Sequence, residues 1–205
     1  MKLNIYTTSH PITQFLSSTV QNTKLQSHTK DHAWKQLGQF LIYETIRNWI
    51  KIYKLKIKQI NMTKKFTILD PKESYIIMTN ITMNLALIQE ARDILPSCII
   101  SLIDFNKNHS SFLIDSNFSY IPKEIDQSTK ILIVKTYINL EYFLQLMEYL
   151  INIKKINISH IRLICIICEE NKLITISQKY PKLNIYTTQI TNNLNIDPDN
   201  YLKKF

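Results

Sequence analysis

KILIVKTYINLEYFLQLMEYL, residues Lys130 to Leu150, decides the fold. After Lys130 the run Ile131-Leu132-Ile133-Val134 is apolar without alternation and closes on Lys135, the pattern of a strand buried on both faces of a parallel sheet. A turn follows. Tyr142, Phe143, Leu146, Met147 and Leu150 then recur at steps of three and four, the spacing of one buried helical face, with Asn139 placed as N-cap. Strand, turn and helix N-terminus in that order is where an α/β domain usually holds a phosphate, because the first-turn N–H groups and the helix dipole both favour an anion. This turn contains no glycine.

Strands and helices alternate on either side of this unit. A strand over Ser74 to Met78, a helix over Met83 to Leu95 and a strand over Cys98 to Ile103 precede it, with Pro96 marking a break. A strand over Ile161 to Ile167, a helix over Glu169 to Tyr180 and a last strand over Leu183 to Thr187 follow it. The pattern predicts βαβ units, a parallel sheet with helices on both faces, and one domain over 1–205. Phe105 to Asp126 is polar, with room for short strands at Ser111 to Ile114 and Phe118 to Ile121.

The N-terminal third is less regular. Lys2 to Thr8 reads KLNIYTT, a short strand, and the same seven residues recur at Lys182 to Thr188. The similarity stops there, so these are two β segments rather than a structural repeat. His10-Pro11 interrupts the first of them. Capping residues over Ser27 to Asp31, with Trp34, Leu37, Leu41, Ile46 and Trp49 as an apolar stripe, predict a first long helix reaching Ile50. From Ile52 to Ile60 the period becomes two: Lys54, Lys56 and Lys58 share one face, Leu55, Ile57 and Gln59 the other. That is a half-buried strand. A turn at Asn61 to Lys65 and a returning strand at Phe66 to Leu69 complete an antiparallel hairpin arm, 52–69. Lys54, Lys56 and Lys58 can contact a polyanion, but such a row more often protects a sheet edge from pairing with another chain.

Composition narrows the function. The chain has 205 residues and a net charge of +9, yet only Arg47, Arg92 and Arg162 are arginines against 22 lysines. Charge without the guanidinium fork argues for solubility and against a base-reading nucleic-acid partner. The 36 Ile and 18 Asn, against one Gly, three Ala and two Val, follow A/T-rich codons and suggest an A/T-rich genome such as an organelle's, though a nuclear or bacterial one of that kind gives the same skew. No targeting segment opens the chain and no apolar run reaches membrane-spanning length, so neither import nor a span is expected. Cys165-Ile166-Ile167-Cys168 spells C-x-x-C, but residues three apart on a strand point to opposite faces. These two and Cys98 are expected as separate, reduced core thiols. His28 and His32 lie four apart, with no Cys or Glu to complete a ligand set, so no metal and no cofactor is expected.

The order of several short strings resembles the uracil phosphoribosyltransferase family over nearly the whole chain. His10-Pro11-Ile12 is similar to the family's opening His-Pro-Leu, and Leu37-Gly38 with Tyr43-Glu44 to its Val-Gly-x-x-Leu-x-Tyr-Glu. Leu95-Pro96-Ser97 with Ile100-Ser101 resembles Val-Pro-x-Ala-x-Ile-Ser. Pro181, Tyr186-Thr187, Ile190 and Leu194-Asn195 resemble Pro-x-Val-x-Leu-Tyr-Thr-Ala-x-Ile-Asp-x-x-Leu-Asn. The resemblance implies an α/β fold of the type I phosphoribosyltransferase kind. It also implies a reaction of uracil with phosphoribosyl pyrophosphate (PRPP) to give UMP and diphosphate, and a dimer with the hairpin arm and first long helix near its interface.

The positions that would do this chemistry have changed. The family's sugar-phosphate loop, Asp-Pro-Met-Leu-Ala-Thr-Gly-Gly-Ser, falls on Lys135-Thr136-Tyr137-Ile138-Asn139-Leu140-Glu141-Tyr142-Phe143. A cation replaces the acid that meets the ribose hydroxyls, and side chains replace the glycines that let a phosphate approach the backbone. The pyrophosphate loop, Leu-Arg-Ala-Gly-Leu-Gly, falls on Ile81-Thr82-Met83-Asn84-Leu85-Ala86, without its arginine or glycines. For the uracil-binding segment there is only Ile196-Asp197-Pro198-Asp199-Asn200-Tyr201. The expectation is therefore a catalytically degenerate homologue, plastid-borne, acting as a binding or structural subunit in a homodimer or larger assembly. The alternatives are a residual enzyme making UMP and an RNA-binding regulator.

Overall fold

The computed structural model describes residues 3–192 apart from 23, 61, 104–120 and 123, and the backbone alone at 81–83. Six parallel strands form one sheet: β1 (Asn4–Thr7), β4 (Tyr75–Thr79), β5 (Ile99–Leu102), β6 (Lys130–Tyr137), β7 (Ile161–Glu169) and β8 (Asn184–Thr191). Their spatial order is β1-β8-β7-β6-β4-β5. The central strand is β6, with Ile131 to Val134 buried and in register with β4 on one side and β7 on the other, as its unbroken apolar run predicts.

Each sheet face has its own core. One is closed by α1 (Pro11–Gln21), α2 (Ser27–Ile46), α3 (Ile81–Ile88) and α4 (Ala91–Ile94), bringing Leu37, Leu41, Ile42 and Leu87 onto Ile77, Leu132 and Ile164. The other is closed by α5 (Leu140–Glu148) with the π turn at Tyr149–Ile153, and by α6 (Glu170–Lys179). There Phe143, Leu146, Met147 and Leu150 meet Ile131, Ile133 and Leu163. Gly38 is where α2 crosses α3. A Cβ there would stand 1.9 Å from the Leu87 carbonyl oxygen, so the backbones meet at a separation only glycine allows.

Several sequence expectations need correction. His10-Pro11 does not merely interrupt a strand but opens α1: the His10 ring accepts from the Ile12 N–H and Pro11 occupies the first turn, where its missing N–H costs nothing. The helix expected over 83–95 is two, α3 and α4, parted at Gln89 and Glu90. The hairpin turn is tighter than expected, because 62–65 belong to strand β3 (Met62–Leu69), which pairs with β2 (Ile52–Gln59). Nor is the hairpin half-buried. It forms a separate two-stranded sheet, exposed on both faces from Ile52 to Ile68. The strands expected at 111–114 and 118–121 lie outside the described residues, except for Ile121, which is in no strand.

The two KLNIYTT segments turn out to be neighbours. β1 pairs with β8 in parallel so that Asn4 faces Asn184, Ile5 faces Ile185, Tyr6 faces Tyr186 and Thr7 faces Thr187. The Asn4 amide donates to Asn184 Oδ1 at 3.0 Å, and the two tyrosine rings stack at 4.8 Å.

Candidate functional site

The turns after β4 and β6 lie side by side at the carboxyl ends of adjacent parallel strands, the usual ligand crevice of an α/β sheet. Here the two turns bond to each other. Lys135 Nζ donates to Asn80 Oδ1, and the Thr136 N–H donates to Asn84 Oδ1 at 2.8 Å, with the Thr136 hydroxyl on the same oxygen. Asn84 is 3% exposed, so its carbonyl is committed inside the molecule. Thr79 adds a hydroxyl bond to the Val134 carbonyl at 3.0 Å. Asn80 is a partner the sequence reading missed. Its signal was the Asn just before a helix, and it is indeed the N-cap residue of α3.

The remaining loop positions serve α5. The Asn139 side chain accepts from the Tyr142 N–H at 3.4 Å, and Glu141 places an exposed carboxylate in the first turn, so the helix carries its own cap and its own anion. Ile138 and Phe143 turn inward and are 2% and 3% exposed. Tyr137, Leu140 and Tyr142 are part-buried. Thr82 and Met83 lie in the first turn of α3, their side chains outside the described set, and Ala86 lies further along it. The segment 196–201 also lies outside the described residues.

Two other groups stand apart from this crevice. Cys165 and Cys168 do meet, contrary to expectation. Ile166 and Ile167 both pack into the α1–α2 core, so the alternation of β7 slips by one residue and both thiols face the α5–α6 core. At the slip the Ile166 carbonyl accepts from the hydroxyls of Thr187 and Thr188 at 3.1 and 2.8 Å. Burial, and a hydrogen bond to Cys168, hold the Cys165 thiol well above the usual value, while that same bond lowers Cys168. All three cysteines are buried free thiols, as expected of core residues. At the β1 edge a cavity of ≈ 620 Å³ opens between Tyr6, His10, Phe40, Tyr43, Arg47 and Tyr186. Nearby, the buried Arg162 lies 3.9 Å over Trp49 and donates to the Thr45 carbonyl; burial lowers its pKa. His28 and His32 are exposed near the start of α2, and no group of three metal-ligating side chains occurs among the described residues.

Comparison with known proteins agrees with the order of strings in the sequence. The family model described as uracil phosphoribosyltransferase matches residues 7–203. A protein of Porphyra purpurea named uracil phosphoribosyltransferase homolog is 29% identical over 93% of this chain and 89% of its own length. One of the same name from Pyropia yezoensis is 27% identical over 97% and 93%. The solved structure of the AQ2163 protein from Aquifex aeolicus superposes with a TM-score of 0.70 over 93% of this chain and 89% of that one, at 16% identity, which shows a common fold.

Proposed function

The chain belongs to the uracil phosphoribosyltransferase family and has its phosphoribosyltransferase-like α/β fold, and from that membership we propose that it is a degenerate member, retained as a binding or structural subunit. The carrying observation is the crevice that bonds to itself. Where a sugar phosphate would need backbone N–H groups and open space, Thr136 N–H is taken by Asn84, Lys135 by Asn80 and the helix N-terminus by Asn139 and Glu141. A ligand phosphate would have to displace these bonds and sit beside a carboxylate. Forgoing two or three charge-assisted hydrogen bonds at about 1.5–3 kcal/mol each weakens binding by about 5 kcal/mol, several thousandfold.

What such a subunit binds is suggested by its exposed apolar surface. One face of the hairpin carries Tyr53, Leu55, Phe66 and Ile68, all exposed, and a two-stranded ribbon is marginal in water by itself. Paired with the aromatic cavity at Tyr6, Phe40 and Tyr43, it supports a homodimer in which each arm lies on the other copy. The A/T-driven composition supports a plastid genome as its source. No helix among the described residues is long and apolar enough to cross a membrane.

The test is thermal stability of the purified chain with millimolar PRPP, uracil or UMP, alongside conversion of labelled uracil. No shift and no UMP is the expected result. A stabilisation by PRPP or measurable UMP would return the chain to the enzymes. Size-exclusion with light scattering reads the dimer, and a monomer would remove that part of the reading.

A further inference from the structure

The ribbon β2–β3 has a second face. In its register Lys54 lies opposite Thr67, Lys56 opposite Lys65 and Lys58 opposite Thr63. Directly opposed residues of an antiparallel pair project to the same side, so four lysines and two threonines share one surface, back to back with the apolar one. All six are exposed. No Asp or Glu occurs between Ile52 and Leu69, and among the described residues none of the four lysines makes an ion pair. Lys56 against Lys65 is a like-charge pair that opposes the ribbon's own folding. Protection of a sheet edge does not account for it. The hairpin lies outside the six-stranded sheet, and its own margins need a charge on each strand, whereas four of the five lysines between Ile52 and Leu69 gather on one face and only Lys64, opposite Ile57, lies on the other.

We propose that this face binds the phosphate backbone of a nucleic acid without reading its bases. Lysines two apart on a strand stand about 6.8 Å from one another, so Lys54, Lys56 and Lys58 form one row of cations with Lys65 beside its middle. The Thr63 and Thr67 hydroxyls lie among them and donate to phosphate oxygens as threonines at such interfaces do. The face has no arginine fork and no aromatic ring, so it has neither a means of pairing with base edges nor a platform for stacking. The competing occupant of a cationic face is an acidic protein, and the interleaved hydroxyl donors favour phosphate. This surface is independent of the crevice and stands whether or not catalysis has been lost.

The experiment is fluorescence anisotropy of the full chain with a labelled single-stranded RNA of mixed sequence, repeated across a salt series. Neutralising about four phosphates predicts a fall in affinity of about 50-fold between about 50 and 200 mM salt, with little dependence on sequence. Lys54→Gln/Lys56→Gln/Lys58→Gln/Lys65→Gln should weaken low-salt binding by at least tenfold and flatten the salt slope. The control Lys24→Gln/Lys35→Gln/Lys72→Gln/Lys182→Gln removes the same charge elsewhere and should keep most of the affinity. Circular dichroism melts confirm both folds, and single Lys56→Gln, which relieves a repulsion, should still show a loss of about threefold. Absence of low-salt binding, or equal weakening by both quadruple variants, would overturn the proposal. So would a polyglutamate peptide that displaces the RNA at matched charge, which would assign the face to an acidic protein.

Discussion

Two places where a glycine would serve a close approach to the backbone differ in this chain. Where α2 crosses α3, the only glycine in the sequence remains, because a side chain at position 38 would collide with the Leu87 carbonyl. Where β6 turns into α5, the family resemblance expects the glycines of a phosphate cradle, and the chain has Glu141 and Tyr142. The difference is what a glycine does at each: at position 38 it admits a helix, whereas a cradle glycine would admit a ligand. On the reading proposed above, the constraint that is kept belongs to the fold.

The comparison breaks if the turn can be returned to its family form without loss. By the family resemblance Phe143 takes the place of a Ser, and its ring is part of the α5–α6 core. Phe143→Ser should therefore cost about 4 kcal/mol, from the cavity and a buried hydroxyl. The midpoint of urea unfolding should fall with an unchanged slope. A near-neutral substitution would mean the turn is still free to be a cradle. Gly38→Ala tests the other side. The methyl forces the two helices apart, and a loss of about 3 kcal/mol is expected in the same titration. A neutral result, or the gain of about 1 kcal/mol that an ordinary helical Gly→Ala exchange gives, would remove the crossing as the reason for its retention.

A smaller effect separates the two ends of β6. Its carboxyl end is held by neutral amide and hydroxyl bonds to Asn84 together with the Lys135–Asn80 contact. Its amino end is held by charge: Lys130 reaches Glu73 and the Trp49 carbonyl, and Lys51 lies 2.8 Å from Glu73. Burial alone would raise the Glu73 carboxyl. The hydrogen bonds from Lys130 and Lys51 and their charges outweigh it, so the group sits below its usual 4.5. A carboxyl lowered on folding adds stability that is present above its unfolded value and disappears as pH falls through the folded one. Stability should thus drop below about pH 4.5 more steeply in the wild type than in Glu73→Gln, as read by denaturation at stepped pH. Parallel curves would detach the amino end from this ion cluster.

The parallel sheet was legible because β6 and β7 are buried on both faces and show it as long apolar runs, interrupted in β7 by Arg162. The departure of the crevice from the family's loop pattern was legible because glycine and arginine have no substitute in a phosphate loop and their absence here is visible letter by letter. The bonds that fill the crevice were not, since Lys135 and Asn80 are 55 residues apart and only the β4–β6 register joins them. Helix α1 was hidden by reading Pro11 as a stop when it is a start. The meeting of Cys165 and Cys168 was hidden by assuming strict alternation along β7, which the Thr187 and Thr188 hydroxyls interrupt. The hairpin's exposure was missed because a period of two does not say whether its apolar side is covered within the same chain.

The pairing of β1 with β8 has a consequence for how the protein fails. Identical segments in parallel register, with asparagines bonded to asparagines and rings stacked on rings, form the repeating unit of a cross-β fibril. Here one molecule supplies both layers, and the repeat ends after two. Should the four-residue β1 fray, or be clipped, the longer margin of β8 would be uncovered as a template that matches residues 4–7 of every other copy.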